Sequence, residues 1–526
     1  MDFFNDHLLS ILIFLPLGAA GLIALVPGGE TALIRRLALG AALVNFAASL
    51  LLWTQFEAAL PGFQFERNFL WIPLGVAGTG GIRYHVGLDG LSLLLVLLTT
   101  LLTPICLAAS WTDNHKRLKE FVCVLLGLET GMIGVFVALD LVLFYVFWEA
   151  MLIPMFLLIG VWGGHERRYA ALKFFLFTMV GSVLMLVAML ALHVLSKTDG
   201  FDLVEITELL ATGDLKLSER TQWLLFSAFA LAFAIKVPMF PLHTWLPDAH
   251  TQAPTAGSVM LAGVLLKMGG YGFLRFCLPL FPAAAHRALP LLVTLAVIGI
   301  IYGALCALAQ SDVKKLVAYS SVSHLGVVML GLFTFNLIGL TGGVLQMINH
   351  GVSTGALFLL VGMIYQRRHT RELSDFGGLA LRMPVYCTLF TIVVMSSLGL
   401  PGLNGFVGEL LVLIGVASGQ FVHPIATVFA ASGMVLGAIY MLRMVRTMFY
   451  GPLTNDHNRA LTDLTSRELA VLAPLIALIF LMGVYPKPFK DVIHLPLAQL
   501  ERTLKLEAKL GRSGLPARPQ IARGAQ

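Results

Sequence analysis

Apolar runs of about 20 residues recur along nearly the whole chain. An α-helix needs roughly 20 apolar residues to cross the hydrocarbon core of a bilayer, and it satisfies its backbone polar groups internally. The runs lie at residues 8–27, 36–56, 89–111, 119–139, 141–162, 170–195, 222–246, 254–278, 288–309, 313–334, 337–365, 384–419, 424–450 and 468–486. The run at 384–419 is too long for one simple helix, so we count it as one interrupted span. The pattern predicts an all-α polytopic membrane protein with about 14 transmembrane helices.

The composition excludes most soluble functions. Of the 526 residues, 58% are hydrophobic and 12% are charged, whereas soluble domains are about 25% charged. A soluble protein could not bury so much apolar side chain, which excludes a cytosolic enzyme, a nucleic-acid-binding protein and a disordered scaffold. The net charge of +6 does not indicate nucleic acid as a partner, because Lys and Arg lie in short loops and in the C-terminal tail.

The sequence contains no motif for a cofactor. Its five cysteines form no CxxC pair, and all of them fall within or at the ends of apolar runs. It has neither a GxGxxG fingerprint after a strand nor a GxxxxGK[ST] loop. We therefore expect this chain to bind no metal, nucleotide or redox centre of its own.

Lys and Arg are distributed unevenly between the predicted loops. Loops that follow odd-numbered spans carry far more of them, Arg167 and Arg168 among them, than loops that follow even-numbered spans. The positive-inside rule then predicts cytoplasmic odd loops and a periplasmic N-terminus. An even number of spans places the C-terminus in the periplasm too. The basic tail from Lys487 to Arg523 then lies on the unfavoured side, so it docks on a partner or the count is off by one.

Two stretches do not fit the spanning pattern. Residues 57–88 are glycine-rich and mixed in character, and we expect an outer loop there. Residues 201–219 have the pattern of a short surface helix. Neither stretch requires a functional explanation.

Ionisable residues lie in the middle of several predicted spans. Such a group costs about 2.5–3.5 kcal/mol at the centre of a helix in a membrane, so it faces the protein interior and has a partner. The mid-span groups are Glu129, Glu149, Lys173, Lys236, Lys267, His324, His350 and Glu409, and Asp140, His243 and His250 lie near span ends or breaks. Any one of them could belong to a structural ion pair. Because each mid-span group lies on a different span, a purely structural explanation of the whole set is poor.

Two predicted spans contain helix-breaking residues beside a charge. Pro238 and Pro241 follow Lys236, and a glycine- and proline-rich segment, 399–405, precedes Glu409. Inside a membrane, such breaks are tolerated only where protein or water satisfies the freed backbone. The breaks fall in spans 7 and 12, which predicts two inverted five-helix repeats, spans 4–8 and 9–13, as in many transporters. Ordinary proline and glycine kinks remain the alternative.

The predicted spans and repeats divide the chain into four parts. Residues 1–117 hold spans 1–3, and residues 118–280 hold the first repeat. Residues 281–450 hold the second repeat, and residues 451–526 hold span 14 and the tail.

Within the first repeat, we expect Glu149 and Lys236 to form an ion pair that stabilises both charges.

Histidine suits a proton relay because it titrates near neutral pH. His324 and His350 have polar neighbours, such as Ser323 and Asn349, that could also hold water. A histidine held only by structural hydrogen bonds is the alternative for each.

Five segments of the sequence resemble segments of one known protein family. They are FYVFWEAMLIPMFLLIGVWGG, KVPMFPLHTWLPDAHTQAPTAGSVMLAGVLLKMGGYGFLRF, DVKKLVAYSSVSHLGVVMLG, QMINHGVSTGALFLLVG and LPGLNGFVGELLVL. Over residues 90–450 the chain closely resembles the antiporter-like membrane subunits of respiratory complex I, NADH:quinone oxidoreductase. Within that family, Glu409 and a short tail resemble the M branch, because the L branch carries a lysine at this position and a long lateral helix afterwards.

The resemblance implies a proton-translocating subunit with 14 transmembrane helices and no redox cofactor. It implies proton translocation by Glu149, Lys236, Lys267, His324, His350 and Glu409, with secondary roles for His243, His250, Glu129 and Asp140. FMN, iron–sulfur clusters and quinone are expected in partner subunits. The expected partners are other membrane-arm subunits and lipids, in the bacterial inner membrane.

Other functions share these motifs. An Mrp-type cation/proton antiporter subunit and a subunit of a membrane-bound hydrogenase or formate-linked complex remain alternatives. A structural subunit with vestigial charges is a third possibility, from a different functional class. Sequence alone does not separate H⁺ from Na⁺ as the transported ion.

Overall fold

The computed structural model describes residues 2–74, 80–112, 116–453 and 455–513, and it is built almost entirely of helices. In chain order, the helices are α1 (Asp2–Leu25), α2 (Thr31–Gln55), α3 (Gly90–Ala109), α4 (Leu118–Val137), α5 (Leu141–Ala150), α6 (Leu152–Trp162), α7 (Arg167–Ser196), α8 (Leu203–Thr212), α9 (Glu219–Lys236), α10 (Trp245–Gln252), α11 (Thr255–Leu280), α12 (Pro282–Leu308), α13 (Val313–Leu332), α14 (Leu337–Arg368), α15 (Pro384–Ser397), α16 (Asn404–Ser418), α17 (Ile425–Phe449), α18 (Asp456–Arg459), α19 (Ser466–Val484) and α20 (Lys487–Ser513). The predicted short helix within residues 201–219 forms as α8.

In the described ranges, twelve helices are long and apolar enough to cross a membrane, with α5 and α6 counted together. This confirms the prediction of an all-α polytopic membrane protein. Two further predicted spans correspond to interrupted helices, α9–α10 and α15–α16. The count of about 14 and the two inverted repeats stay predictions.

The helices form a central group and a peripheral group. The most apolar stretches of α11 and α14 are buried along their whole length, whereas 28–33% of the corresponding stretches of α2, α17 and α19 is buried. The peripheral helices therefore expose apolar side chains, as lipid or a neighbouring subunit requires. The central helices α11 and α14 carry Lys267 and His350, and they shield these two groups from the surroundings.

Both predicted helix breaks are present. The proline break, residues 237–244, separates α9 from α10, and its Pro238 has φ +30°. The glycine break, residues 398–403, separates α15 from α16, and Gly399 and Gly402 have φ +72° and +93°. Glycine adopts a positive φ without steric penalty, so the backbone of this turn is not strained. The indole of Trp245 donates to the carbonyl of Ile235 at 2.9 Å, which satisfies one backbone group at the proline break.

The prediction of an outer loop at residues 57–88 was wrong in part. Strands β1 (Gln64–Pro73) and β2 (Gly81–Leu88) form an antiparallel hairpin there, with Arg67 opposite Val86. Residues 75–79 lie outside the described ranges. Strands of eight to ten residues contain no 20-residue apolar run, so a search for such runs does not detect them.

The expectation of only a short tail after the last span was also wrong. The 27-residue helix α20 follows it. Its buried Ile493, Leu497, Leu500 and Leu504 recur at helical spacing and form one apolar face. This face lies against α3, α12 and α14. The rest of the basic tail, residues 514–526, lies outside the described residues.

Candidate functional site

Lys236 is the last residue of α9, and its side chain is buried at the proline break. Its ammonium nitrogen lies 5.0 Å from the ring centre of Trp148 and 5.7 Å from that of Phe174. Among the described residues, Nζ has no hydrogen-bond partner. The cation is therefore held by aromatic faces and not by a countercharge in contact.

Glu149 lies beside Trp148 on α5 and is half-buried. The expected ion pair with Lys236 is not formed: no contact within 4 Å joins the two charged groups, and Glu149 Oε1 lacks a hydrogen-bond partner within the described part of the chain. Consecutive residues of a helix point about 100° apart. Trp148 is the residue of this helix whose ring contacts Lys236, and Glu149 acts on Lys236 electrostatically without a contact.

Four ionisable residues form a continuous group in the centre of the molecule, which we call the buried row: Lys267, His350, His324 and Glu409. Lys267 Nζ donates to His350 Nδ1 at 2.7 Å. The rings of His350 and His324 have centres 5.9 Å apart. His324 Nδ1 lies 3.0 Å from Glu409 Oε1. The row thus connects α11, α14, α13 and α16.

Local backbone structure positions Lys267. Two segments of α11, Leu261–Leu265 and Phe273–Cys277, are π-helical, with wider turns than an α-helix. Such insertions are frequent at functional sites. Lys267 Nζ also donates to the carbonyl oxygen of Ala262, which lies in the first wide turn. The side chain therefore has a backbone anchor on its own helix and a histidine on α14.

Amides and hydroxyls surround the Glu409 end of the buried row. Gln346 Nε2 donates to Glu409 Oε1 at 3.1 Å. Asn349 Nδ2 donates to the carbonyl of Asn404 at 2.7 Å. Ser353 Oγ on α14 lies 2.7 Å from Ser396 Oγ, near the end of α15 that precedes the glycine break. These uncharged groups can orient water or pass a proton without adding charge.

The proline break and the buried row are neighbours. Gly269 on α11 lies against Val237 and the carbonyl of Phe233, where even a methyl group would clash. His250 on α10 is fully buried, its ring stacks on Phe358 with ring centres 4.6 Å apart, and the charges of Lys314 and Lys267 both act on it through space. Both His250 ring nitrogens lack partners among the described residues. His250 is thus the titratable group next to the Lys267 end.

The remaining candidates do not join the buried row. His243 packs against Phe240 and Tyr302. Asp140 caps α5 by accepting from the backbone N–H groups of Val142 and Leu143, and it also accepts from Arg83 N at 3.1 Å.

Two further candidates have partners of their own. Glu129 accepts from Asn45 Nδ2 at 2.9 Å. Lys173 Nζ contacts Asp248 at 2.7 Å, in the kind of ion pair that the structural alternative describes.

The sequence analysis missed Lys314 and Gln346. Lys314 is buried at the start of α13 and donates to the carbonyl of Ala253. It lies in a cavity of about 470 Å³ that Thr251 and Arg371 also line. No local signal distinguishes it from its half-buried neighbour Lys315. Gln346 could have been noticed, since it is an amide four residues before His350 on the same face of a helix.

The β-hairpin holds a further charged cluster at the edge of the bundle. His85 lies 2.6 Å from Asp202 and 2.8 Å from Glu66. Burial alone would lower the pKa of His85, but the two carboxylates outweigh it and raise the pKa above the ordinary value. Burial would raise the pKa of Asp202, but His85 and two backbone N–H groups lower it. Because Asp202 caps the start of α8, its contact with His85 joins the hairpin to that helix.

Residues 138–437 match the family described as NADH:quinone oxidoreductase/Mrp antiporter, transmembrane. NADH-quinone oxidoreductase subunit M of Rhodobacter capsulatus is 49% identical over 94% of this chain and 96% of its own length. A chain of respiratory complex I from Thermus thermophilus with bound NADH superposes with a TM-score of 0.83 at 33% identity, covering 94% of this chain and 99% of that one. A chain of the Mrp complex from Dietzia sp. DQ12-45-1b superposes with a TM-score of 0.80 at 23% identity, covering 96% and 99%, and shares the fold.

Proposed function

The chain belongs to the NADH:quinone oxidoreductase/Mrp antiporter membrane family, and from this premise we propose that it is the proton-translocating subunit M of a bacterial NADH:quinone oxidoreductase. The observation that carries the proposal is the buried row, which lines up titratable groups of four central helices. As a subunit of a translocase, this chain is proposed to hold no redox centre of its own, with electron transfer in partner subunits that carry FMN, iron–sulfur clusters and quinone.

In the proposed mechanism, protons enter from the cytoplasm and leave on the periplasmic side. Lys236 takes up a proton at the proline break and passes it to Lys267. The proton then moves through His350 and His324 to Glu409. The ring centres of the two histidines lie 5.9 Å apart, and the Nε2 atoms of both lack hydrogen-bond partners among the described residues. We propose one hydrated step between the rings, which a single ordered water can provide. His250 and His243 are secondary groups beside the proline break.

Glu149 tunes Lys236 through space. A carboxylate that is not in contact with the lysine stabilises the ammonium less than a direct ion pair does, so Lys236 can release its proton when the field changes. Moving one charge against roughly 180 mV costs about 4 kcal/mol. Rearranging charges in a low-dielectric interior involves energies of this size. Quinone reduction elsewhere in the complex would supply them.

We also propose the location and the partners. The chain spans the bacterial inner membrane with a periplasmic N-terminus, and other membrane-arm subunits and lipids cover its exposed apolar helices. The parts proposed above, residues 1–117, 118–280, 281–450 and 451–526, then separate three leading spans, two inverted repeats and a terminal helix pair.

The first test is purification through a tag on this chain in mild detergent. Co-purified flavin, iron–sulfur proteins and NADH:quinone activity support the proposal. A cofactor-free set of small membrane proteins with sodium/proton exchange in vesicles would instead support the Mrp-type antiporter, the second candidate that the shared fold favours.

The second test uses Lys236→Ala and Glu149→Ala in the assembled complex. Both variants should reduce coupled NADH:quinone turnover and proton pumping while electron transfer from NADH to an artificial acceptor stays intact. Lys216→Ala, at an exposed lysine, is the control. Normal pumping in both variants would contradict the mechanism and favour a structural subunit.

A further inference from the structure

Glu129 is a fully buried carboxyl group that the proposed proton route does not use. It lies on α4 and accepts a hydrogen bond from the side-chain amide of Asn45 on α2, with Asn45 Nδ2 2.9 Å from Glu129 Oε1. Both side chains are 0% exposed. In the described part of the chain, no cationic side chain lies within ion-pair distance of Glu129.

Each of these two side chains has one further oxygen without a partner among the described residues: Glu129 Oε2 and Asn45 Oδ1. Both are hydrogen-bond acceptors if Glu129 is ionised, so neither can satisfy the other. The nearby hydroxyls of Ser49 and Thr100 are already paired with each other at 2.7 Å. An ionised Glu129 would therefore be a buried charge with a single hydrogen bond and no countercharge, which a membrane interior disfavours strongly.

A single proton between Glu129 Oε2 and Asn45 Oδ1 would give both oxygens a hydrogen-bond partner. We propose that Glu129 is a neutral carboxylic acid whose proton sits on Oε2 and is donated to Asn45 Oδ1. Asn45 Nδ2 donates in return to Glu129 Oε1, so the two groups form a cyclic acid–amide pair with two hydrogen bonds. The site binds a proton permanently and joins α2 to α4.

Helix α3 separates this pair from the buried row. Its Leu98 and Leu102 lie against Gly351 and Gly263, close to His350 and Lys267. Its Thr100 faces the opposite way, toward Ser49 on α2. The acid–amide pair is therefore set apart from the route by a layer of leucine side chains. In place of the secondary transfer role that the family resemblance implies for Glu129, we expect its proton to stay in place during turnover.

A metal cation is a weaker explanation of the same atoms. Hard divalent cations take about six or more oxygen ligands. Glu129 Oε2 and Asn45 Oδ1 are two, and the paired hydroxyls of Ser49 and Thr100 are engaged with each other and with backbone carbonyls. A proton needs only one donor position and one acceptor, which the pair provides.

Infrared spectroscopy of the intact complex tests the proposal. Glu129→Gln keeps both hydrogen bonds, because the glutamine amide donates to Asn45 Oδ1 and its carbonyl accepts from Nδ2. We expect this variant to lose one protonated-carboxyl absorption band relative to the wild type, to assemble normally and to pump within about twofold of the wild-type rate. Glu120→Gln, at an exposed position on the same helix, is the matched control and should leave that band unchanged.

Two further results would overturn the proposal. If Glu129→Gln leaves the protonated-carboxyl region unchanged, then Glu129 is ionised. If Glu129→Gln assembles but loses pumping about tenfold or more, then Glu129 exchanges its proton during turnover. Asn45→Leu should shift the same band, because the acid loses its acceptor, whether or not pumping is affected. The spectral readout does not depend on the proposed function of the buried row.

Discussion

The proline break and the glycine break hold their charges in different ways. At the proline break, Lys236 rests on the rings of Trp148 and Phe174 without a hydrogen-bond partner among the described residues. At the glycine break, Glu409 contacts His324 and Gln346 through the same oxygen. Both side chains are buried, so exposure to solvent does not explain the difference.

The difference indicates two roles in one route. A cation that only aromatic faces stabilise has no fixed hydrogen-bond geometry to break when its charge changes. A carboxylate within a network of donors is held in one position, and its neighbours must rearrange when it is protonated. We therefore expect charge and proton release to matter most at Lys236, and hydrogen-bond geometry to matter most at Glu409.

The largest expected effect comes from Lys236→Arg. Arginine keeps the positive charge and stacks well on aromatic rings, but it does not release its proton in proteins. If Lys236 carries a proton in each cycle, pumping should fall by about a hundredfold, in the range seen when a proton-transfer group is lost. Proton uptake by inside-out vesicles, with Lys216→Arg as control, measures this. Near-normal pumping would mean that Lys236 acts only as a fixed charge.

At the glycine break, Glu409→Gln and Glu409→Ala should differ from each other. Glutamine keeps an oxygen that accepts from Gln346 and His324, whereas alanine leaves both buried groups without that acceptor. We expect both variants to pump poorly, and only Glu409→Ala to assemble less, by about 3 kcal/mol of local stability. Quantifying the assembled complex on native gels separates the two effects. Equal assembly of both variants would contradict the expectation that hydrogen-bond geometry matters most at Glu409.

The sequence predicted the parts of the site that have local signals. Clustered helix-breaking residues, such as Pro238 with Pro241 and Gly399 with Gly402, disfavour a regular helix through their own backbone chemistry. Charged residues within apolar runs are conspicuous, so both breaks and the members of the buried row were predicted. The predicted Glu149–Lys236 ion pair was wrong because a contact between side chains of two helices depends on how the helices pack, which the residues around Glu149 or Lys236 do not report.

Contacts between distant segments account for the other errors. The burial of Lys314 depends on the carbonyl of Ala253, which lies on a different helix connection. Nothing in the residues around Lys314 reports that contact. The hairpin and α20 were missed for another reason: both are amphipathic elements too polar for a search based on apolar runs.

A smaller effect is expected when the aromatic support of Lys236 is removed. A cation–π contact contributes about 0.5–2 kcal/mol. Trp148→Leu should therefore shift the protonation equilibrium of Lys236 and slow pumping by about threefold to tenfold, with normal assembly. Phe144→Leu, one turn earlier on α5 and not over Lys236, is the control. If both variants behave alike, the aromatic ring serves packing and not the charge.

The smallest effect on pumping is expected at His85, which is the opposite extreme from Lys236 because both its ring nitrogens contact a carboxylate. The pKa of His85 is raised in the folded protein, so its stabilising contribution is complete below about pH 6.5 and is lost as the pH rises through the raised pKa. The pKa of Asp202 is lowered, so its contribution is lost only as the pH falls through that lowered value. Hydrogen exchange of the β1–β2 amides should therefore quicken beyond the intrinsic rate change as the pH rises above about 6.5 and through the raised pKa of His85.

His85→Gln should remove this extra pH dependence and leave proton pumping close to that of the wild type, because the hairpin lies outside the buried row. His193→Gln, at a histidine near α8 whose Nδ1 contacts a backbone carbonyl, is the control and should retain the pH dependence. An unchanged pH dependence in His85→Gln would show that the carboxylates do not hold His85 in its charged form. The contrast between a charge without hydrogen-bond partners and a charge with them would then be supported only by Lys236 and Glu409, and not by His85.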